Sequence, residues 1–236
     1  MTDSRTQIDD VRSLHEVLHK AKALLLDFDG PLCSVFAGVP ANRAAGDLKA
    51  LLATTTQADI PPALELSDDP FDVLHYANTL TTEVARLIEA TLTSHEVEAI
   101  SVTQPTPYSI EFVSRSSRIG KLLAVVSNNS TSAVSAYLNR FGLAQFFSGT
   151  FARSFDNATL LKPNPFLLTQ AITSLDVRPE DCIMIGDSST DLIAAQAAGI
   201  RAIAYANKPS KLARLREHQS AGIITTMSTL LTSWDT

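Results

Sequence analysis

The stretch Ala23-Leu24-Leu25-Leu26-Asp27-Phe28-Asp29-Gly30-Pro31 decides the fold of this chain. Its first four residues form a short apolar run, and a polar turn follows at once, which is typical of a parallel strand buried on both faces. The spacing of Asp27 and Asp29 brings two carboxylates into one small crevice, and Gly30 lets the backbone turn sharply behind them. The stretch therefore predicts a buried strand that ends in a pair of carboxylates.

Two further apolar runs also end in polar clusters. Leu122–Val126 is followed by Ser127–Ser130, and Cys182–Ile185 is followed by Gly186–Ser189. Each cluster opens a helix pattern. Ser130 is the expected N-cap of the first and Ser188 or Ser189 that of the second, with Gly142 and Gly199 as the expected stops. This alternation predicts an α/β fold, a Rossmann-like parallel sheet with helices on both faces. In such sheets the ligand crevice lies beyond the carboxyl ends of the strands, where the polar clusters stand.

The segment from 32 to 111 breaks this alternation, because its pattern is mostly helical. The residues expected on one apolar helix face are Val84, Leu87, Ile88 and Leu92. An insertion of this length directly after the first strand is typical of a lid domain rather than of a loop. We therefore expect a catalytic core made of residues 1–31 and 112–236, and a helical cap domain made of residues 32–111.

The composition excludes several classes of protein. The chain has 236 residues, with 19 Lys and Arg against 25 Asp and Glu, so its net charge of -6 argues against nucleic-acid binding. The N-terminus lacks the apolar core of a signal peptide, and no apolar run is long enough to span a bilayer. The two cysteines, Cys33 and Cys182, are expected to be reduced. We expect a cytoplasmic monomer or homodimer that binds neither nucleic acid nor membranes.

Four motifs together resemble the haloacid dehalogenase-like (HAD) hydrolase superfamily. They are Asp27-Phe28-Asp29-Gly30, Ser127-Asn128, Lys162-Pro163 and Gly186-Asp187-Ser188-Ser189-Thr190-Asp191. Each motif is weak alone, but four in this order on these elements are specific, and they cover nearly the whole chain. In particular, the chain resembles the phosphatases of this superfamily that carry a helical cap after the first strand, as phosphoglycolate phosphatases do.

The resemblance implies a Mg²⁺-dependent phosphohydrolase that cleaves a small phosphorylated metabolite, a phosphomonoester, through an aspartyl-phosphate intermediate. It implies that Asp27 is the nucleophile and that Asp29 protonates the leaving group and later activates water. It places Lys162 against both the nucleophile and the phosphate, whose negative charge the lysine would offset. Ser127 and Asn128, where the second strand ends, are expected to bind the phosphoryl group.

The resemblance also implies a metal site at Asp27, Asp29, Asp187 and Asp191. Asp29 would contribute its backbone carbonyl, and Asp191 would lie in the outer shell of the metal or orient Lys162. Electrostatics supports a cation independently, because like charges about 4 Å apart cost on the order of 4 kcal/mol per pair at an effective dielectric constant of about 20. Oxygen ligands completed by water and a substrate phosphate suit Mg²⁺.

One position departs from the family pattern. Pro31 stands where a threonine is usual, and it offers neither a hydroxyl nor an N–H group. The four acids and the lysine are unaffected, so the departure bears on the shape and mobility of the turn that leads into the cap. Elsewhere, Arg153 follows a short apolar stretch, and both a surface position and a position in the crevice remain open for it.

Two other functions remain open at this point. A sugar phosphomutase of the same superfamily would hold a second phosphate in the cap, but residues 32–111 contain only Arg43, Lys49 and Arg86 against eleven acidic residues. A non-catalytic binding module that kept the fold is the other alternative, although none of the expected acids is missing. The acidity of the cap also predicts the charge of the substrate's other end. We expect that end to be neutral or cationic rather than a second phosphate.

Overall fold

A parallel sheet of six strands lies at the centre of the computed structural model, which describes residues 8–56 and 59–235. The strands are β1 (Ala23–Leu26), β2 (Leu122–Ser130), β3 (Gly149–Arg153), β4 (Cys182–Gly186), β5 (Arg201–Tyr205) and β6 (Gly222–Ile224). Their order across the sheet is β3-β2-β1-β4-β5-β6. The α/β fold with a parallel sheet is thereby confirmed. The first seven residues assigned to the core lie outside the described part.

The register of the central strands brings their polar ends together. Leu26 of β1 pairs with Val125 of β2 on one side and with Ile185 of β4 on the other. The polar residues just beyond these three positions, among them Asp27, Ser127 and Asp187, therefore lie at the same edge of the sheet. All four residues of β1 are fully buried, as the continuous apolar run predicts for a strand covered on both faces.

Helices cover both faces of the sheet. They are α1 (Val11–Lys20), α6 (Ser109–Arg118), α7 (Thr131–Arg140), α8 (Phe166–Ser174), α9 (Ser189–Ala197), α10 (Pro209–Leu215) and α11 (Met227–Thr232). Leu24 belongs to the apolar cluster of one face and Leu25 to that of the other. Ser130 caps α7 and Ser188 caps α9, each by accepting a hydrogen bond from a backbone N–H of the first turn. Both predicted N-caps are confirmed.

The described residues between β1 and α6 form four helices, α2 (Ala41–Thr56), α3 (Pro62–Glu65), α4 (Pro70–Ala77) and α5 (Thr82–Val102). On α5, Val84, Ile88 and Leu92 are buried as predicted, but the prediction for Leu87 was wrong, because this side chain is 41% exposed. The bounds 32 and 111 of the cap stay a prediction. No helix in the described ranges is both long enough and apolar enough to cross a membrane.

Helix α5 joins the inserted helices to the sheet. Val84, Ile88 and Leu92 lie in the apolar cluster that includes residues of α2 and α4. Ala99 and Ile100, near its C-terminal end, lie in the cluster that includes residues of α7. One helix is therefore anchored at both of its ends.

The turn after β1 is held by side chains from later in the chain. Gly30 adopts a φ of 113°, which a residue with a side chain rarely adopts. Its carbonyl accepts a hydrogen bond of 2.6 Å from Thr106 Oγ1, and the Leu32 carbonyl accepts one of 2.8 Å from the Tyr137 hydroxyl. Pro31 is buried between these anchored residues. The departure at Pro31 thus leaves a turn that is fixed on both sides.

Candidate active site

Lys162 lies at the centre of the site, between two carboxylates. Its ammonium group donates hydrogen bonds of 2.8 Å to Asp27 Oδ1, 2.5 Å to Asp191 Oδ1 and 2.9 Å to the Val126 carbonyl. These contacts use all three ammonium protons. Burial opposes the positive charge, but the two carboxylates prevail and raise the pKa of Lys162 above its ordinary value. The lysine is therefore a fixed cation.

Asp27 follows β1 directly and is almost fully buried. Its Oδ1 accepts hydrogen bonds of 2.8 Å from Lys162 Nζ and 2.8 Å from the Phe28 N–H. Burial and the charge of Asp191 raise the pKa of Asp27, and the charge of Lys162 opposes this rise. Among the described residues, no group donates to Oδ2. One carboxylate oxygen is thus held in place while the other is available to a ligand.

Asp29 lies two residues further on, and its side chain reaches solvent. Its Oδ1 accepts a hydrogen bond of 2.9 Å from the Val35 N–H. The surrounding protein partly desolvates the carboxyl group and raises the pKa of Asp29, against the effects of this hydrogen bond and of Lys211. The structure thus places one anchored carboxylate and one more accessible carboxyl group side by side at the end of β1.

Asp191, in the first turn of α9, uses both of its oxygens. Oδ1 contacts Lys162, and Oδ2 accepts hydrogen bonds of 3.1 Å from the Asp187 N–H and 3.0 Å from the Ser188 N–H. The Ser188 hydroxyl donates a further bond of 2.6 Å to Oδ2. Asp191 therefore holds both the lysine and the turn between β4 and α9.

Asp187 faces the crevice from the end of β4. It forms an ion pair with Lys211 of α10 and accepts a hydrogen bond of 3.2 Å from Asn207 Nδ2. Burial raises the pKa of Asp187 to about 6, although Lys211 counteracts this effect. A Cβ at Gly30 would overlap the Asp187 carboxylate, so glycine is required there for this close approach.

Three carboxylates of the site lie close enough together to hold a divalent cation. Asp27, Asp187 and Asp191 each offer a carboxylate oxygen, and these three oxygens lie within 4.8 Å of one another. Three acids so close together repel one another, which is why neighbouring carboxylates contribute to the raised pKa values of Asp27 and Asp187. All three donors are oxygens, which Mg²⁺ prefers. The side chain of Asp29 lies outside this cluster, and its contribution through the backbone carbonyl stays a prediction.

Ser127 and Asn128 lie where β2 reaches the crevice. The Ser127 hydroxyl is fully buried, donates a hydrogen bond of 3.2 Å to Asn129 Oδ1 and accepts one of 3.1 Å from the Asn129 N–H. The Asn128 amide contacts the backbone of Lys162 through both its nitrogen and its oxygen. The structure thus brings both residues to the site but directs the Asn128 side chain at the lysine segment. Their binding of a phosphoryl group stays a prediction.

Several residues of the site escaped prediction from the sequence. Lys211 and Asn207 contact Asp187, but no motif marks them. Arg153 is fully buried and forms ion pairs with Glu89 and Glu96 of α5, so it is not a surface residue. The available signal was its place at the end of the short stretch that forms β3, because Asp27 and Asp187 also stand directly after strands.

The fold and this cluster define a hydrolase of the haloacid dehalogenase-like family. Residues 21–199 match the model of that family, and the chain belongs to it. The predicted membership in this superfamily of enzymes is thereby confirmed.

Relatives of known name support the same assignment. A phosphoglycolate phosphatase of Mesorhizobium japonicum is 30% identical over 133 residues, which are 55% of this chain and 58% of that enzyme. This chain thus matches little more than half the length of that relative. A phosphoglycolate phosphatase of Neisseria meningitidis is 27% identical over 198 residues, which are 79% of this chain and 80% of that one.

Solved structures show the same fold. CbbY from Rhodobacter sphaeroides, crystallised with phosphate, superposes with a TM-score of 0.66 at 21% identity, over 92% of this chain and 100% of that chain. A predicted phosphatase from Clostridium acetobutylicum gives a TM-score of 0.69 at 17% identity, over 91% of this chain and 98% of that chain. At such identities the likeness concerns the fold alone.

Proposed function

We propose that this chain is a Mg²⁺-dependent phosphohydrolase that cleaves a small phosphomonoester through an aspartyl-phosphate intermediate. The observation that carries the proposal is the contact of Lys162 Nζ with Asp27 Oδ1 and Asp191 Oδ1, at 2.8 and 2.5 Å. This contact fixes one oxygen of Asp27 and leaves Oδ2 for attack on phosphorus. The names of the Mesorhizobium and Neisseria relatives support a phosphatase.

The proposed reaction has two steps. In the first, Asp27 Oδ2 bonds to phosphorus, the bond from phosphorus to the substrate oxygen breaks, and the Asp29 carboxyl donates its proton to that leaving oxygen. In the second, the Asp29 carboxylate takes a proton from water, the water oxygen bonds to phosphorus, and the bond to Asp27 breaks. The products are an alcohol and inorganic phosphate. The raised pKa of Asp29 favours the protonated form that the first step needs.

The charged neighbours of Asp27 have distinct roles in this proposal. Asp27, Asp187 and the backbone carbonyl of Asp29 would hold the metal, with Asp191 behind them. When bound, Mg²⁺ would supply positive charge that compensates the clustered carboxylates and the phosphate. Lys162 offsets negative charge on the transferring group, and Asp191 keeps the lysine in position.

The contacts of the three basic residues in the segment 32–111 favour a hydrolase over a mutase. Arg43 lies 3.9 Å from Glu98, and Arg86 stacks over the Phe155 ring at 4.0 Å. Lys49 donates hydrogen bonds of 2.9 Å to two backbone carbonyls, those of Glu65 and Ser67. Each of these three cations thus has a neighbour that competes with a second phosphate, and only Lys49 is held by hydrogen bonds to the backbone.

Hydrolysis of a chromogenic phosphomonoester, with and without Mg²⁺, tests the proposal. We expect turnover that requires Mg²⁺ and is lost in Asp27→Asn, which keeps an acceptor for Lys162 but lacks the nucleophilic carboxylate. Asp59→Asn, at an exposed position of the inserted segment, is the matched control and should retain full activity. Turnover without metal, or an Asp27→Asn protein as active as the parent, would refute this mechanism.

A further inference from the structure

A buried carboxylate of α5 contacts the loop 127–130, which is the irregular end of β2 where the pairing with β3 shifts its register. Glu96 is completely buried. Its Oε2 accepts a hydrogen bond of 2.8 Å from the Ser130 N–H, and its Oε1 accepts one of 3.0 Å from Asn129 Nδ2. Asn129 in turn exchanges two hydrogen bonds with the Ser127 hydroxyl. A chain of hydrogen bonds thus leads from the inserted segment to the serine expected to bind phosphate.

Arg153, at the end of β3, neutralises this buried carboxylate. It donates a hydrogen bond of 2.6 Å to Glu96 Oε2 and one of 2.5 Å to Glu89 Oε1, and its side chain is fully buried. Its Nε donates a third bond, of 3.0 Å, to the Asn128 carbonyl. The arginine therefore contacts both the carboxylates of α5 and the backbone of the same loop.

The loop 127–130 is consequently held at every residue. Asn128 contacts Lys162 through its side chain and Arg153 through its carbonyl, and Glu96 holds the two residues after it. The acceptors come from α5, which is anchored in the inserted helices at its other end. The position of this helix and that of the loop are therefore mechanically linked.

Building on the proposed function, we propose that Glu96 is a positioning residue for phosphate binding, with Arg153 as its counter-ion. Glu96 accepts hydrogen bonds from Asn129 and Ser130 and so fixes the loop 127–130 in the conformation from which Ser127 would reach a phosphoryl group. A helix that only had to stay attached to the sheet would be held as well by apolar residues, since buried ion pairs contribute little net stability over such contacts. What a carboxylate adds is two acceptors for the loop.

The chain provides a matched control for this proposal. Glu89 lies on the same helix and pairs with the same Arg153, but its other hydrogen bond is from Thr93 of α5 and not from the loop. Glu96→Gln and Glu89→Gln each remove one of the two negative charges that face Arg153. Glu96→Gln also replaces an acceptor oxygen with an NH₂ group that cannot accept from Ser130 or Asn129.

Three measurements distinguish a role of Glu96 in positioning the loop from a role in attaching α5 to the sheet. They are the Kd of inorganic phosphate, the KM and kcat for a chromogenic phosphomonoester, and amide hydrogen exchange of Ser130. We expect both variants to lower Tm. Glu96→Gln alone should weaken phosphate binding about tenfold, raise KM more than it lowers kcat, and speed exchange at Ser130. Asn129→Ala, which retains both ion pairs of Arg153, should also weaken phosphate binding and keeps the test decisive if Glu96→Gln does not fold.

The proposal is overturned by either of two results. One is equal weakening of phosphate binding in Glu89→Gln and Glu96→Gln, which would reduce the contact to attachment of the helix. The other is unchanged phosphate affinity and unchanged Ser130 exchange in Asn129→Ala and in any Glu96→Gln protein that folds. Failure of the parent protein to hydrolyse phosphomonoesters would instead refute the proposed function, while phosphate binding and exchange would still test the role of Glu96.

Discussion

The Asn128 side chain and the Lys162 backbone are joined by two reciprocal hydrogen bonds. Asn128 Nδ2 donates to the Lys162 carbonyl at 2.9 Å, and the Lys162 N–H donates to Asn128 Oδ1 at 2.8 Å. The ammonium group of the same lysine is held separately by Asp27 and Asp191. The lysine is thus positioned at both ends, by neutral bonds at its backbone and by charges at Nζ.

Replacing Asn128 with alanine removes the backbone support and leaves the charges in place. We expect Asn128→Ala to fold and to lose roughly ten- to a hundredfold in kcat/KM, because small displacements of a group that offsets reaction charge are costly. Steady-state kinetics on a chromogenic phosphomonoester measures this. Asn139→Ala, at an exposed position of α7, is the control. A folded Asn128→Ala protein with parental kcat/KM would contradict this role.

The close approach of Gly30 to Asp187 predicts a sharp contrast between two glycines. Gly30→Ala places a Cβ on the Asp187 carboxylate and forces a side chain into a φ of 113°, so we expect loss of activity and destabilisation by about 1–2 kcal/mol or more. Gly46→Ala, in α2 with open space around it, should leave activity intact and raise stability by up to about 1 kcal/mol. Urea unfolding and hydrolysis assays distinguish the two. Equal effects would show that the packing at Gly30 is not required.

Local signals explain which parts of the molecule could be predicted. Ser130 and Ser188 cap their helices through contacts within three residues, so the sequence pattern contains the whole interaction. By contrast, Arg153 meets Glu89 and Glu96 across 64 and 57 residues, and no short motif encodes such a contact. The ion pair of Lys211 with Asp187 depends in the same way on where two separate strands end. The four site acids and Lys162 were predicted from motifs, whereas Lys211 and Asn207, which contact Asp187, were not.

The two thiols are expected to be inert in the folded protein. Burial raises the pKa of Cys182 to about 11 and that of Cys33 well above its ordinary value. A thiol in the unfolded chain ionises at about 8.5, so the unfolded state loses its protons first as the pH rises. The stability these thiols contribute is therefore complete below about pH 8.5 and falls as the pH rises toward 11.

A disulfide-exchange reagent at pH 8 measures this protection directly. Native protein should react far more slowly than free cysteine, and two thiols should react at once in guanidinium chloride. Unfolding curves of the parent and of Cys182→Ala between pH 8 and 11 should diverge, with the parent losing more stability. Rapid labelling of either thiol in the native protein would show that its surroundings are open to solvent.

The substrate is expected to carry a single phosphate and no second anion. Arg43, Lys49 and Arg86 are each engaged by a neighbour, and Arg153 is enclosed between Glu89 and Glu96. A second phosphate held near the inserted helices would meet acidic residues, and each of the three cations of residues 32–111 already has a neighbour that competes for it. Like charges repel even at partly screened distances. We therefore expect kcat/KM to be highest for a monophosphate whose remainder is neutral or cationic, and lower for hexose bisphosphates and for the carboxylate-bearing phosphoglycolate.

A panel of phosphate esters matched in size but differing in the charge of the leaving alcohol, assayed by release of inorganic phosphate, measures this order. A preference for bisphosphates that declines steeply with added salt would contradict it, because such a preference requires cations near the inserted helices that bind the second phosphate.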